Sequence, residues 1–242
     1  MTRWSSLRLA LALGLAVVGC RSTSSPPAAV LTGSELESAV RALAGGPASD
    51  VTALYRLRVP RASGLRAALR TSGPAGRLTV SDPFGSAVSL VAWSDGDRGD
   101  VFDLEEGCRV PDVDLAAVLG VGRLPLEPML RLLVGRLPAA EGDAVSAADG
   151  GFVVRGLAWQ ARVEVAPGPW RVTRVVGQAG GRHDAWRIAL ASHHGAVPGE
   201  IRIDRDDGRW ARLELVRLVL GPVAALPDLP DLPDCGASGD ER

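Results

Sequence analysis

The sequence predicts a mainly antiparallel β protein (α+β): a curved sheet of about 10–11 strands, preceded and lidded by short helices. Three observations carry this. From Ala53 onward apolar and polar residues alternate with period two. Gly, Pro, Ser and Asp clusters such as Ser72-Gly73-Pro74 and Asp95-Gly96-Asp97 punctuate the alternation. Helical runs are too few to cover both faces of a parallel sheet, so one apolar face must be buried by the sheet's own curvature and a few helices.

In chain order, Arg3 and Arg8 precede an apolar run, Leu9 to Val18, too short to span a bilayer comfortably. It ends in Val17-Val18-Gly19-Cys20, which resembles the lipobox of bacterial lipoproteins. The resemblance implies a signal peptide over 1–19 and lipid on Cys20. Residues 20–33 then read as a lipidated, flexible linker. In proteobacterial lipoproteins an Asp after the cysteine favours the inner membrane; Arg21 stands here, which points to the outer membrane. Ser34–Ala44 is an amphipathic helix, with Leu36, Ala39, Val40 and Leu43 on one stripe. Ser34 and Glu37 form a capping-box pattern and Gly45-Gly46 a stop.

Strands are expected at 53–59, 65–70, 77–81, 87–93 and 100–104. Two short helices follow, Val113–Leu119 and Leu126–Val134, the second with Pro128 in its first turn. Further strands are expected at 151–156, 157–166, 170–178, 185–192, 200–204 and 209–220. Residues 34–221 thus make one domain. The tail, 222–242, repeats Leu-Pro-Asp; proline at that density excludes helix and sheet, so it is expected to be extended or disordered.

Tyr55, Leu57, Leu90, Trp159, Val163, Trp186 and Ile188 are expected to face a shared interior. Met129, Leu130 and Leu133 are expected to close it. Pattern alone does not separate a lipid cavity from a filled core.

The formal net charge is −1, which supplies no basic field for nucleic acid. All 27 basic residues are Arg, which excludes lysine-dependent chemistry such as a P-loop or Schiff base. His183, His193 and His194 are the only histidines, and the adjacent His193-His194 cannot chelate one metal together on a strand, because adjacent residues face opposite sides. Asp204, Asp206 and Asp207 before Gly208 read as a turn, since the glycine comes one position early for a calcium loop. Glu105-Glu106 and Asp112/Asp114 read as loop charges. No catalytic motif, cofactor site or metal site is expected. With Cys20 acylated, Cys108 and Cys235 are left able to form one disulfide, although nothing local supports the pairing.

Three stretches together resemble the LolB family of outer-membrane lipoprotein receptors. They are Leu78–Ser86 (a strand and a Pro-containing turn), Asp114–Pro138 (helix, Leu-Pro-Leu step, helix, Gly turn) and Val197–Leu220 (a closing strand pair). The order and spacing of these stretches carry the resemblance. It implies an incomplete β-barrel whose open side is plugged by helices. It further implies an apolar cavity that accepts acylated lipoproteins, or other lipid cargo, from a LolA-like periplasmic carrier and delivers them to the outer membrane. Such a protein is anchored in the outer membrane and faces the periplasm. Phe84 stands where that family carries a protruding leucine, which assigns it a membrane-insertion role; the other reading is that Phe84 folds back onto the sheet. The chain departs from the family in its fewer aromatic residues, in Leu69-Arg70 where a Trp is usual, and in its Pro-rich tail. An envelope scaffold that uses the same fold to bind a protein partner is the alternative.

Overall fold

The computed structural model describes residues 32–45, 50–60, 62–118, 124–179, 185–205, 208–223 and 225–235. The leader, Cys20, the linker up to residue 31, His183, Asp206 and Asp207 lie outside them.

The first helix, α1 (Gly33–Ala44), begins one residue before the expected start. The capping box that forms is Thr32/Glu35, not Ser34/Glu37. Thr32 Oγ1 accepts from the Glu35 amide at 3.4 Å, and Glu35 Oε2 accepts from the Thr32 amide at 2.8 Å. Both pairs satisfy the same spacing; the earlier one wins because it caps the longer helix, and Ser34 falls inside the first turn. Hydrogen bonds from Thr32 hold the Glu35 carboxyl below its ordinary range. Leu36, Ala39 and Leu43 form the buried stripe.

Thirteen strands follow among the described residues, more than expected. They are β1 (Val51–Val59), β2 (Ala62–Ser72), β3 (Ala75–Ser81), β4 (Ala87–Trp93), β5 (Arg98–Asp103) and β6 (Cys108–Asp114). After the one-turn helix α2 (Leu115–Val118) and α3 (Leu126–Leu133) come β7 (Ala144–Ala148), β8 (Gly151–Arg155), β9 (Trp159–Ala166) and β10 (Arg171–Ala179). The last three are β11 (Trp186–Ala191), β12 (Glu200–Arg205) and β13 (Trp210–Leu220). All belong to one antiparallel sheet, ordered β6-β5-β4-β3-β2-β1-β13-β12-β11-β10-β9-β8-β7. The sheet is an incomplete barrel: β6 and β7 are its two edges and do not pair with each other.

The two edges are consecutive strands in the chain, so the crossover that joins them, residues 115–143, carries α2 and α3. The Leu126 amide, at the start of α3, donates to Asp97 Oδ1 of the β4–β5 loop at 2.6 Å. Just beyond its end, Gly135 (φ +75°) leaves no room for a Cβ, which would strike the Ala196 carbonyl of the β11–β12 loop. The ten residues from Leu126 to Gly135, eight of them helical, reach roughly 14 Å, at about 1.5 Å per residue. The two loops are roughly six strand spacings apart, about 29 Å in a flat sheet. The sheet must therefore curl, and register shifts between β1 and β13, β3 and β4, β5 and β6, and β9 and β10 supply local bends.

Cross-strand partners define the concave face. One row runs Leu218, Ala53, Leu69, Leu78, Val91, Val101. Another runs Ile203, Ile188, Val175, Val163, Phe152. These rows share one core with Leu36 and Leu43 of α1, Leu115 of α2, and Leu126 and Leu132 of α3.

Several expectations are corrected. The run expected as the helix Val113–Leu119 contains only α2; residues 113–114 end β6, a strand that Pro111 and its acidic neighbours disguise. Proline is tolerated there because β6 is an edge. β7, Ala-Val-Ser-Ala-Ala, lacks the β-branched alternation that marks strands and was not expected. The strand expected from Leu157 begins at Trp159, and Leu157 is fully exposed (106%) in the preceding turn. Leu90 does not face the interior. It pairs with Phe102, and the two sit with Ala92 in a separate cluster on the convex face, because Val91 takes the inward position. In the tail, the described residues 225–235 are neither helix nor regular strand, apart from a bridge at Asp234. The extended chain packs Leu232 against that convex cluster, and Cys235 is disulfide-bonded to Cys108.

Candidate functional site

An open cleft of about 780 Å³ lies where the crossover meets the two sides of the sheet. One wall is the β2–β3 turn (Gly73, Pro74), Trp93 at the end of β4, and the β4–β5 loop. The floor is the first half of α3, with Leu126, Pro128 and Leu130. The far wall is Leu157 and Trp159, ahead of and at the start of β9.

Glycine positions the aromatic walls. A Cβ on Gly76 would overlap the Trp93 ring, and one on Gly156 would overlap the Trp159 indole. Deeper in the core, Gly177 is the cross-strand partner of Trp186 and makes the same room for its ring. Each indole thus lies flat over a residue without a side chain, a close approach that any larger residue blocks.

Carboxylates ring the cleft, and three of them accept from backbone amides. Asp97 accepts from the Leu126 amide, Asp114 from the Ala116 amide at 2.9 Å, and Asp143 from the Ala140 amide at 2.8 Å. Glu127 pairs with Arg131 one helical turn on, at 3.1 Å. They fix loops and helix starts around an apolar centre. Among the described residues, no group of three or more His, Cys, Asp or Glu side chains is placed to hold a metal ion. His193 Nε2 lies 2.9 Å from the Val172 carbonyl oxygen; burial pushes its pKa down, against the opposing effect of that bond.

Of the ten residues expected to line an interior cavity, Leu130 and Trp159 line the cleft. Tyr55, Val163, Trp186 and Ile188 are buried in the packed core beneath it, Leu57, Met129 and Leu133 pack against that core, and Leu90 is on the other face. The sequence reading missed Trp93 and Leu126 as walls. Trp93 was detectable by its period-two match to Val91; its nearness to α3 was not, because the crossover sets it. Three buried side-chain polar atoms, Tyr55 Oη, Arg77 Nη1 and Trp186 Nε1, have no hydrogen-bond partner among the described residues. Burial raises the Tyr55 pKa well above that of a free phenol.

Phe84 is 95% exposed. Asp82 holds it out: its Oδ1 accepts from the Phe84 and Ser86 amides at 2.9 and 2.8 Å, while the Asp82 amide donates to the Ser86 carbonyl at 2.9 Å. The fold-back reading is thereby overturned. Phe84 sits at the opposite end of β3 and β4 from Trp93, a strand length of roughly 23 Å.

A second recess, about 550 Å³, lies between α1 (Leu36, Val40) and the β7–β8 hairpin (Val145, Ala147, Phe152). No helix among the described residues is long and apolar enough to cross a membrane. The chain matches no family model and no curated protein sequence.

Proposed function

We propose that this protein is an outer-membrane-anchored lipoprotein that takes up the acyl chains of lipoproteins or lipids and passes them to the membrane. The observation that carries the reading is the cleft of about 780 Å³ walled by Trp93, Trp159, Leu126 and Leu130. Acyl chains offer no polar handle, so a site for them needs apolar area and shape, not charged groups aimed at the ligand. Asp97, Asp114 and Asp143 fit that demand, being turned to backbone amides.

In this reading α2 and α3 are the lid of the incomplete barrel, and the opening between β6 and β7 is the entrance they guard. Cys20 carries the lipid anchor, and cargo arrives from a periplasmic carrier. Phe84 supports the reading independently, since an aromatic ring held in water by its own turn has no folding benefit there. Dipped into lipid it gains roughly 1.5–3 kcal/mol, enough to orient a protein already anchored. Its distance from Trp93 makes it a membrane contact and not part of the cleft.

The test is saturable binding of a fluorescent fatty acid to the purified full chain, with native mass spectrometry for co-purified lipid. Saturable binding, displaced by unlabelled lipid, is expected. No saturable binding to delipidated protein sinks the carrier reading. It would favour an envelope scaffold, for which the observation is β7, an uncharged edge strand with Val145 exposed.

A further inference from the structure

The two edges of the sheet are finished differently. At β6 the Arg109 amide donates to the Pro233 carbonyl at 2.8 Å, and the Arg109 carbonyl accepts from the Cys235 amide at 2.7 Å. Residues 109 and 234 form a parallel bridge, so the tail adds itself to the edge as one more short strand. Arg109 Nε and Asp234 Oδ1 pair at 2.8 Å, and the Cys108–Cys235 disulfide closes the contact. Next to it, Leu232 lies on Leu90, Ala92, Phe102 and Leu104, the apolar patch of the convex face. β13, in the middle of the sheet, ends at Leu220, and residues 225–235 reach the β6 edge.

We infer that residues 225–235 are a strap latched by the Cys108–Cys235 disulfide, and that a dithiol reductant opens it. This inference does not depend on what the cleft binds. Three features argue for a latch over a fixed part of the fold. The strap's noncovalent hold is small, since Leu232 alone among its leucines joins the convex cluster and Leu229 is exposed. Proline at 227, 230 and 233 removes the amides a full ladder would need. Cys235 is exposed while Cys108 is half-buried, so the Cys235 sulfur is the one open to attack.

The exchange balances without further reactants. A thiolate of the dithiol attacks Cys235 Sγ, forming a mixed disulfide and expelling Cys108 as a thiolate, which takes up a proton. The second thiol of the reductant, deprotonated, closes onto the first and releases Cys235 as a thiol. The protein disulfide is reduced to two thiols and the dithiol is oxidised to a disulfide. Opening frees the Arg109 amide and carbonyl on the sheet edge and uncovers Leu90 and Phe102. It also removes a restraint on β6, which runs on through Asp114 to Ala116 in the cleft wall.

Hydrogen exchange read by mass spectrometry tests this on the full chain, before and after dithiothreitol under native conditions, with thiols counted. Exchange at the 108–114 and 225–235 amides is expected to accelerate at least ten-fold on reduction, with β9–β10 amides unchanged, and bis-ANS emission is expected to rise. Cys235→Ser is expected to reproduce the reduced pattern without reductant. Leu232→Asp, with the disulfide intact, is expected to raise bis-ANS emission alone. The latch is overturned if the disulfide resists excess dithiothreitol in the folded protein. It is also overturned if strap and β9–β10 amides accelerate by the same factor, which marks a global staple, or if the strap amides do not change.

Discussion

Phe84, Tyr55 and Gly177 show how single residues divide between function and folding. Phe84 stands in water on a turn organised by Asp82, so nothing in the fold depends on its ring. Phe84→Glu is expected to leave the melting temperature within the range of a neutral surface change, about 0.5 kcal/mol or less, and to leave fatty-acid binding intact. Delivery of cargo to liposomes is expected to fall; delivery at the wild-type rate removes Phe84 from the mechanism. Tyr55 is the only tyrosine in the chain, is 1% exposed, and carries an unpartnered hydroxyl among the described residues. Tyr55→Phe is expected to stabilise the fold by about 1 kcal/mol in urea melts, because a buried unmade hydrogen bond is removed. Burial raises the Tyr55 pKa in the folded state, so its neutral form is favoured there. Its contribution is fully present below about pH 10, the unfolded value, and is lost as pH rises above that. The wild type is therefore expected to lose stability above pH 10 faster than Tyr55→Phe. The phenolate absorbance of this one residue reads the same titration directly. Gly177→Ala is expected to cost about 1–3 kcal/mol, since its Cβ falls on the Trp186 ring in a packed core. A neutral result means that Trp186 has room to move.

At the scale of elements, α3 carries the most consequence for its length. Eight residues bury Leu126 and Leu132 in the core and turn Leu130 to the cleft. Leu130→Glu is expected to weaken fatty-acid binding at least ten-fold by placing a charge against the acyl chain, with little loss of stability because Leu130 is only half-buried. Unchanged affinity would move the site elsewhere, with the recess between α1 and β7 as the next place to look. The helix period and the Pro128 position of α3 were legible in the sequence, as was the stripe of α1; Leu132, buried in the core, was not among the residues expected to close the interior. β6 and β7 were not. An edge strand is free to carry proline or short uncharged residues, because half its backbone groups need no ladder partner. Strand patterns learned from buried strands therefore fail at edges. Leu90 failed for a related reason: alternation tells which residues share a face, and an apolar patch under the tail makes the convex face resemble the concave one.

For the whole molecule, the proposed anchor, Cys20, and the cleft residues, 73–159, belong to different parts of the chain. Cys20→Ala is expected to release the protein from the membrane fraction while its circular dichroism stays that of the folded domain, because the proposed anchor is lipid on Cys20, ahead of the described residues. A variant that still sediments with outer membrane after carbonate washing contradicts the lipid anchor.

The sequence by itself determined the class of the fold. Period-two alternation, turn residues and a shortage of helices leave an antiparallel sheet with one apolar face as the economical way to bury that much aliphatic surface. It also placed the apolar residue at the β3–β4 turn, since Asp82, Pro83 and Gly85 specify that turn locally. Tertiary structure decided which surfaces meet. The crossover from β6 to β7 brings Trp93 and Trp159 to either side of α3, and the tail returns from β13 to cover β6. Both depend on contacts between segments far apart in the chain, whose register is set by sheet curvature and by the bulges that bend it. Periodicity is a local property and carries no information about such distances.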